Sequence, residues 1–126
     1  MRKAKLKKED ILFADLSYKI TGLCFFVHQK LGRFAKEKQY CNLLEAQLKE
    51  NNFKFTREFT ITGTGNRADF IIEDSVLFEI KAKPFVTRED YYQTQRYLKL
   101  LKLKLGIIVN FQDPYIKQQR IINFQN

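Results

Sequence analysis

Phe13, Leu16, Ile20, Leu23, Val27 and Leu31 recur at three- and four-residue intervals, which places them on one face of a helix. Gly32 is a suitable stop for it. A second helix is predicted from about Phe34 to Glu50, with Tyr40, Leu44 and Leu48 on one stripe and Asn51-Asn52 beyond its end. The period then drops to two. Phe53, Phe55, Phe59 and Ile61 alternate with polar residues on either side of Arg57, which predicts a strand over Phe53 to Thr62. Gly63-Thr64-Gly65-Asn66 is a turn cluster. Ala68 to Ile72 and Val76 to Ile80 are short apolar runs joined by Glu73-Asp74-Ser75, which reads as a hairpin. Pro84 stops the second of these runs, and Thr87 with Asp90 three residues on resembles a capping box for a helix from Arg88 to about Lys102. Leu105 to Phe111 predicts a further strand and Arg120 to Phe124 a last one.

The resulting order, ααβββαβ with a terminal strand, implies an α/β sandwich. At 126 residues the chain fits one domain, 1–126, and 44% hydrophobic residues suffice for a core. With 12 Phe, 6 Tyr and no Trp, aromatic packing should dominate that core. Cys24 and Cys41 make neither a disulfide framework nor a four-ligand zinc site, and both sit in apolar helical patterns as small core side chains. Met1 to Lys8 is a basic arm, read as a mobile solvated terminus, with contact to a phosphate backbone as the alternative. The apolar stretch that follows is broken by Asp15 and Lys19, too short for a secretory signal, and nothing later approaches a membrane span. A cytoplasmic, reducing setting is expected.

Charge narrows the choice of partner. Lys and Arg total 23 against 14 Asp and Glu, a net charge of +9, which attracts polyanions, nucleic acid foremost. Solubility alone is the plainer explanation of such an excess.

One constellation carries chemistry: Asp69, then nine residues, then Glu79-Ile80-Lys81. Side chains alternate along a strand, so Val76, Phe78 and Ile80 point to one face and Leu77, Glu79 and Lys81 to the other. With a three-residue loop, Ile72 lies opposite Val76 and Asp69 opposite Glu79, with Cβ atoms about 4.5–5.5 Å apart. Two carboxylates so placed repel unless a cation sits between them, and oxygen ligands of this kind suit Mg²⁺ or Mn²⁺. A solvent-exposed strand end with scattered charges is the alternative, since a different loop length would separate the acids.

Glu37 precedes Tyr40, Cys41 and Leu44 by three, four and seven residues, which places it on the apolar stripe of its helix. A carboxylate facing the core is costly unless paired or metal-bound. The alternative is a first-turn acid in solvent, favoured there by the helix dipole. Gln93 and Tyr97 share a helix face, either as a surface with one core tyrosine or as a polar pair beside the metal site.

These residues belong to a longer ordered set: Leu16–Gly22, Val27–Gly32, Glu37–Tyr40, Arg67–Asp69, Glu79–Lys81, Gln93–Tyr97 and Val109–Phe111. In that order the chain resembles the GxxExxY proteins, a branch of the PD-(D/E)XK nuclease superfamily. It departs at Phe34, where a glycine would be expected three residues before Glu37. The resemblance implies a restriction-endonuclease-like α/β/α sandwich with a mixed central sheet. It also implies a Mg²⁺-dependent nuclease that cleaves phosphodiester bonds, usually of DNA. Asp69, Glu79 and the Ile80 carbonyl would hold the ion, with Glu37 joining directly or through water. Lys81 would orient the attacking water or offset charge on the phosphate, and Gln93 and Tyr97 would support Lys81 and substrate. His28 matches a family position without an implied role. Very small nucleases usually dimerise or work within a larger machine, so a homodimer or a larger nucleic-acid-processing complex is expected. The rival reading is a catalytically inactive nucleic-acid-binding or partner-binding module on the same fold.

Overall fold

The computed structural model describes residues 8–124. Two helices come first, α1 (Lys8–Leu31) and α2 (Glu37–Glu50). Strands β1 (Phe55–Ile61), β2 (Asn66–Ile72) and β3 (Val76–Lys81) follow, then α3 (Arg88–Leu101), β4 (Leu105–Asn110) and β5 (Gln119–Ile122). Helix α1 already begins at Lys8, so the expected basic arm is at least one residue shorter. Its remainder, 1–7, lies outside the described residues.

The five strands lie in the order β1-β2-β3-β4-β5. Neighbours are antiparallel except β3 and β4, which run parallel through the α3 crossover. Val76, Phe78 and Ile80 pack with Ile107 and Val109 under α1 and α2, against Ile20, Tyr40, Leu44 and Leu48. Leu77 and Ile108 face the other way and pack with Tyr97 and Leu98 of α3. The mixed sheet between helical layers is the restriction-endonuclease-like architecture. Among the described residues no helix is long and apolar enough to cross a membrane.

Local chemistry sets the helix ends. Gly32 adopts φ +73° at the end of α1, a left-handed conformation that glycine reaches without penalty. Helix α2 starts three residues later than its apolar pattern suggests. The Tyr40 hydroxyl donates to Gly32 O and accepts from Ala35 N, which keeps 32–36 as a loop. The capping box of α3 is complete: Thr87 N donates to Asp90 Oδ2 at 2.8 Å and Asp90 N donates to Thr87 Oγ1 at 3.2 Å. At Gly106 a Cβ would meet Thr94 Cγ2 at 2.7 Å, so only glycine lets α3 lie this close to β4. Cys24 and Cys41 are free and buried, as core residues.

Candidate active site

Antiparallel pairing of Ile72 with Val76, Ile71 with Leu77 and Phe70 with Phe78 fixes the hairpin with its three-residue loop. Beyond Phe70 simple alternation fails. Phe55 and Phe70 pack on the α1/α2 side, whereas Ile61 and Ala68 pack on the α3 side. Both strands therefore change face between Arg57↔Phe70 and Phe59↔Ala68, at Glu58 and Asp69. Glu58 has φ 55°, a left-handed value uncommon for a residue with a side chain. No residue is inserted, but the effect resembles a bulge, because Asp69 is re-aimed out of the regular ladder. Asp69 Oδ2 accepts the backbone N–H of Ile80 at 2.7 Å.

Glu79 sits beside this contact and is buried. Burial pushes its pKa up to about 9, helped by the charge of Asp69 and a side-chain hydrogen bond shared with it. Lys81 and a backbone hydrogen bond from Asp69 work in the opposite direction. Glu79 Oε1 is buried without a hydrogen-bond partner. Leaving such an atom unsatisfied costs about 1–3 kcal/mol, more if it is charged.

Lys81 is half-buried, with its Nζ 3.8 Å from Asp90 Oδ1, and Lys83 Nζ lies 2.5 Å from Asp90 Oδ2. Burial alone would raise the Asp90 pKa. The hydrogen bonds from Lys83 and Thr87 and the charge of Lys81 outweigh it, and the net shift is downward. Asp90 thus caps α3 and holds two lysines of the neighbouring strand end.

Tyr97 is buried on α3, and burial and the Glu79 charge raise its pKa, against Arg96, Lys81 and a hydrogen bond with Asn66. Gln93, one turn earlier, is half-buried.

Glu37 is a correction to the reading of an acid turned into the core. It opens α2 and is exposed. Its surroundings still tie it to the site: partial desolvation and the Asp69 charge raise its pKa, with Lys81 and Lys83 opposing. Glu37, Lys38, Cys41, Arg57, Glu58 and Asp69 line an open cleft of about 350 Å³. Burial and the charge of Asp69 push the Cys41 thiol up to about 12, so it stays protonated.

The surroundings accept a hard divalent ion. An unpartnered buried carboxylate oxygen adjoins a second carboxylate, with no thiolate or imidazole among the donors. Among the described residues, however, no three His, Cys, Asp or Glu side chains converge as a ready cage.

A sequence model of the PD-(D/E)XK nuclease superfamily matches residues 14–123. The chain belongs to this superfamily. No curated protein and no solved structure matches it. Members of the PD-(D/E)XK nuclease superfamily generally hydrolyse phosphodiester bonds with divalent metal ions.

Sequence reasoning singled out neither Asp90 nor Lys83 as part of the site. Asp90 was legible only as a cap. The signal for Lys83 was the continued two-residue spacing from Glu79 and Lys81. His28 has a structural partner, since its Nε2 lies 3.0 Å from Asp113 O and its ring tilts against Phe111.

Proposed function

We propose that this chain is a metal-dependent nuclease of the GxxExxY branch that cleaves phosphodiester bonds in DNA. The observation that carries the reading is the buried, unpartnered Glu79 Oε1 beside Asp69, with Lys81 two residues on. Asp69, Glu79 and the Ile80 carbonyl would hold Mg²⁺ or Mn²⁺. Because no three donor side chains converge among the described residues, a water between Glu37 and the ion fits better than direct ligation.

When bound, the ion supplies Lewis-acid polarisation of the phosphate and lowers the pKa of a bound water. The chain's own residues do the rest. Lys81 places a positive charge where negative charge grows on the phosphate, and it orients the attacking water. Asp90 keeps the Lys81 ammonium from swinging into solvent. Tyr97, which feels the charges of Glu79 and Lys81, would limit water on the α3 side, and Gln93 would present an amide for substrate.

In this reading residues 1–126 form one nuclease domain that works in the cytoplasm, as a homodimer or inside a larger nucleic-acid-processing complex. Incubation with linear, circular and branched DNA in Mg²⁺, in Mn²⁺ and in chelator tests it. Cutting is expected with either metal and none with chelator. DNA binding without cutting under every metal condition would point instead to a binding module.

A further inference from the structure

Three loops at one end of the sheet hold one another. Residues 32–36 are tied to the segment after β4, where Arg33 Nε donates to Gln112 O at 2.9 Å. The segment after β3 is clasped by the same strand end. Asn110 Nδ2 donates to Lys83 O at 2.7 Å, and Asn110 Oδ1 accepts from Lys83 N at 3.2 Å. Because β3 and β4 are parallel, both loops leave the sheet on the side where Lys81 ends its strand.

Each loop carries one large aromatic ring in solvent: Phe34 is 76% exposed, Phe85 79% and Tyr115 89%. The next residue in every case turns inward. Ala35 and Ile116 pack on the α1/α2 core and Val86 on the α3 core. The rings are therefore held outward by anchored backbone and are not core residues that failed to find room. Cations are interleaved with them. The Arg33 guanidinium lies 5.0 Å from the Phe34 ring centroid, Lys83 precedes Pro84 and Phe85, and Lys36 and Lys117 are exposed beside Ala35 and Ile116.

We propose that Phe34, Phe85 and Tyr115 stack on unpaired bases, so that the substrate class of this site is single-stranded nucleic acid. The proposal rests on the nuclease reading only in assigning the strand as substrate. Exposed rings reach base faces only where those faces are not already stacked in a duplex. Interleaved cations track the phosphates of the same strand, and together these make a sequence-tolerant platform.

The test is binding in chelator, where no cutting intervenes. Fluorescence anisotropy compares a labelled single strand with a blunt duplex of the same length at matched salt. The proteins are the wild type, Phe34→Ala, Phe85→Ala and Tyr115→Ala, each checked for native circular dichroism. The wild type is expected to bind the single strand at least about tenfold more tightly. Each alanine variant should lose roughly five- to a hundredfold on the single strand and little on the duplex. Phe85→Tyr should retain binding. Equal losses on both substrates, or no loss on the single strand, would overturn the proposal, and the second result would leave the rings to a protein partner. Metal-dependent duplex cutting with no single-strand preference would overturn it while leaving the nuclease reading intact.

Discussion

Asp69 reaches across to Ile80 through its side chain: Oδ2 accepts the Ile80 N–H at 2.7 Å. The carboxylate thereby satisfies a donor in the sheet while it also shares a hydrogen bond with Glu79. Removing it should do more than remove a ligand. Asp69→Ala strips the Ile80 N–H of its acceptor and should destabilise the metal-free protein by about 1–3 kcal/mol. Asp69→Asn keeps an acceptor and should melt close to the wild type. At ten times its dissociation constant, Mg²⁺ should stabilise the wild type by about 1.4 kcal/mol and both variants by less. Melting curves at fixed ionic strength check both statements. An Asp69→Ala midpoint equal to the wild type would remove the structural role.

Protonation of Glu79 gives a second outcome. Its folded pKa, about 9, lies above the ordinary value of 4.5, so the folded protein keeps a proton that the unfolded chain releases. Metal-free stability should therefore fall as pH rises from 4.5 towards 9. A divalent ion needs the ionised carboxylate, so binding near neutral pH should release close to one proton. Apparent affinity should rise with pH through the neutral range. Calorimetry in buffers of different ionisation enthalpy measures the proton directly. Glu79→Gln should show neither the release nor the slope, and a wild type that releases no proton would contradict the assignment.

Asp90 separates capping from charge. Asp90→Asn retains an acceptor for the Thr87 N–H and removes the charge that holds Lys81 and Lys83. Its kcat should fall by roughly ten- to a hundredfold, with a smaller change in KM. Thr87→Ala removes the other half of the box, at about 1 kcal/mol of stability, and should leave kcat near the wild-type value. Steady-state kinetics beside thermal melts distinguish the two, and a normal kcat in Asp90→Asn would reduce Asp90 to a cap.

Glu37 and Glu45 share a helix but have different partners. Glu45 pairs with Arg57 and Lys49, whereas Glu37 feels the charges of Asp69, Lys81 and Lys83. Glu37→Gln should lower activity by roughly ten- to a hundredfold, in the manner of a group acting through water on a metal. Glu45→Gln should lie close to the wild type. Equal small effects would make Glu37 a first-turn helix acid.

These residues also show what the sequence made legible. The hairpin register was legible only through the length of the Glu73-Asp74-Ser75 loop, because apolar runs that bury both faces do not by themselves penalise a slip. The Thr87/Asp90 cap was readable because its partners are three residues apart. The face change at Glu58 and Asp69 was not, since a left-handed glutamate leaves no mark in a hydrophobic pattern. For the same reason Phe59, counted among the alternating apolar positions, is exposed. Glu37 looked inward because it falls on the stripe of Tyr40 and Leu44, but a helix's first residue can lie beyond the edge of the sheet it covers. The hold of Asp90 on Lys81 and Lys83 joins a helix start to a strand end, a tertiary contact that periodicity does not encode.

The most direct measurement is the single-turnover rate of DNA cleavage by the wild type and by Lys81→Ala, each with saturating Mg²⁺ and with chelator. The wild type should cut with Mg²⁺ and stop with chelator. Lys81→Ala should bind DNA normally and cut roughly a hundred- to a thousandfold more slowly. Cutting that survives chelator, or a Lys81→Ala rate within a few-fold of the wild type, would contradict a metal-dependent site built on Asp69, Glu79 and Lys81.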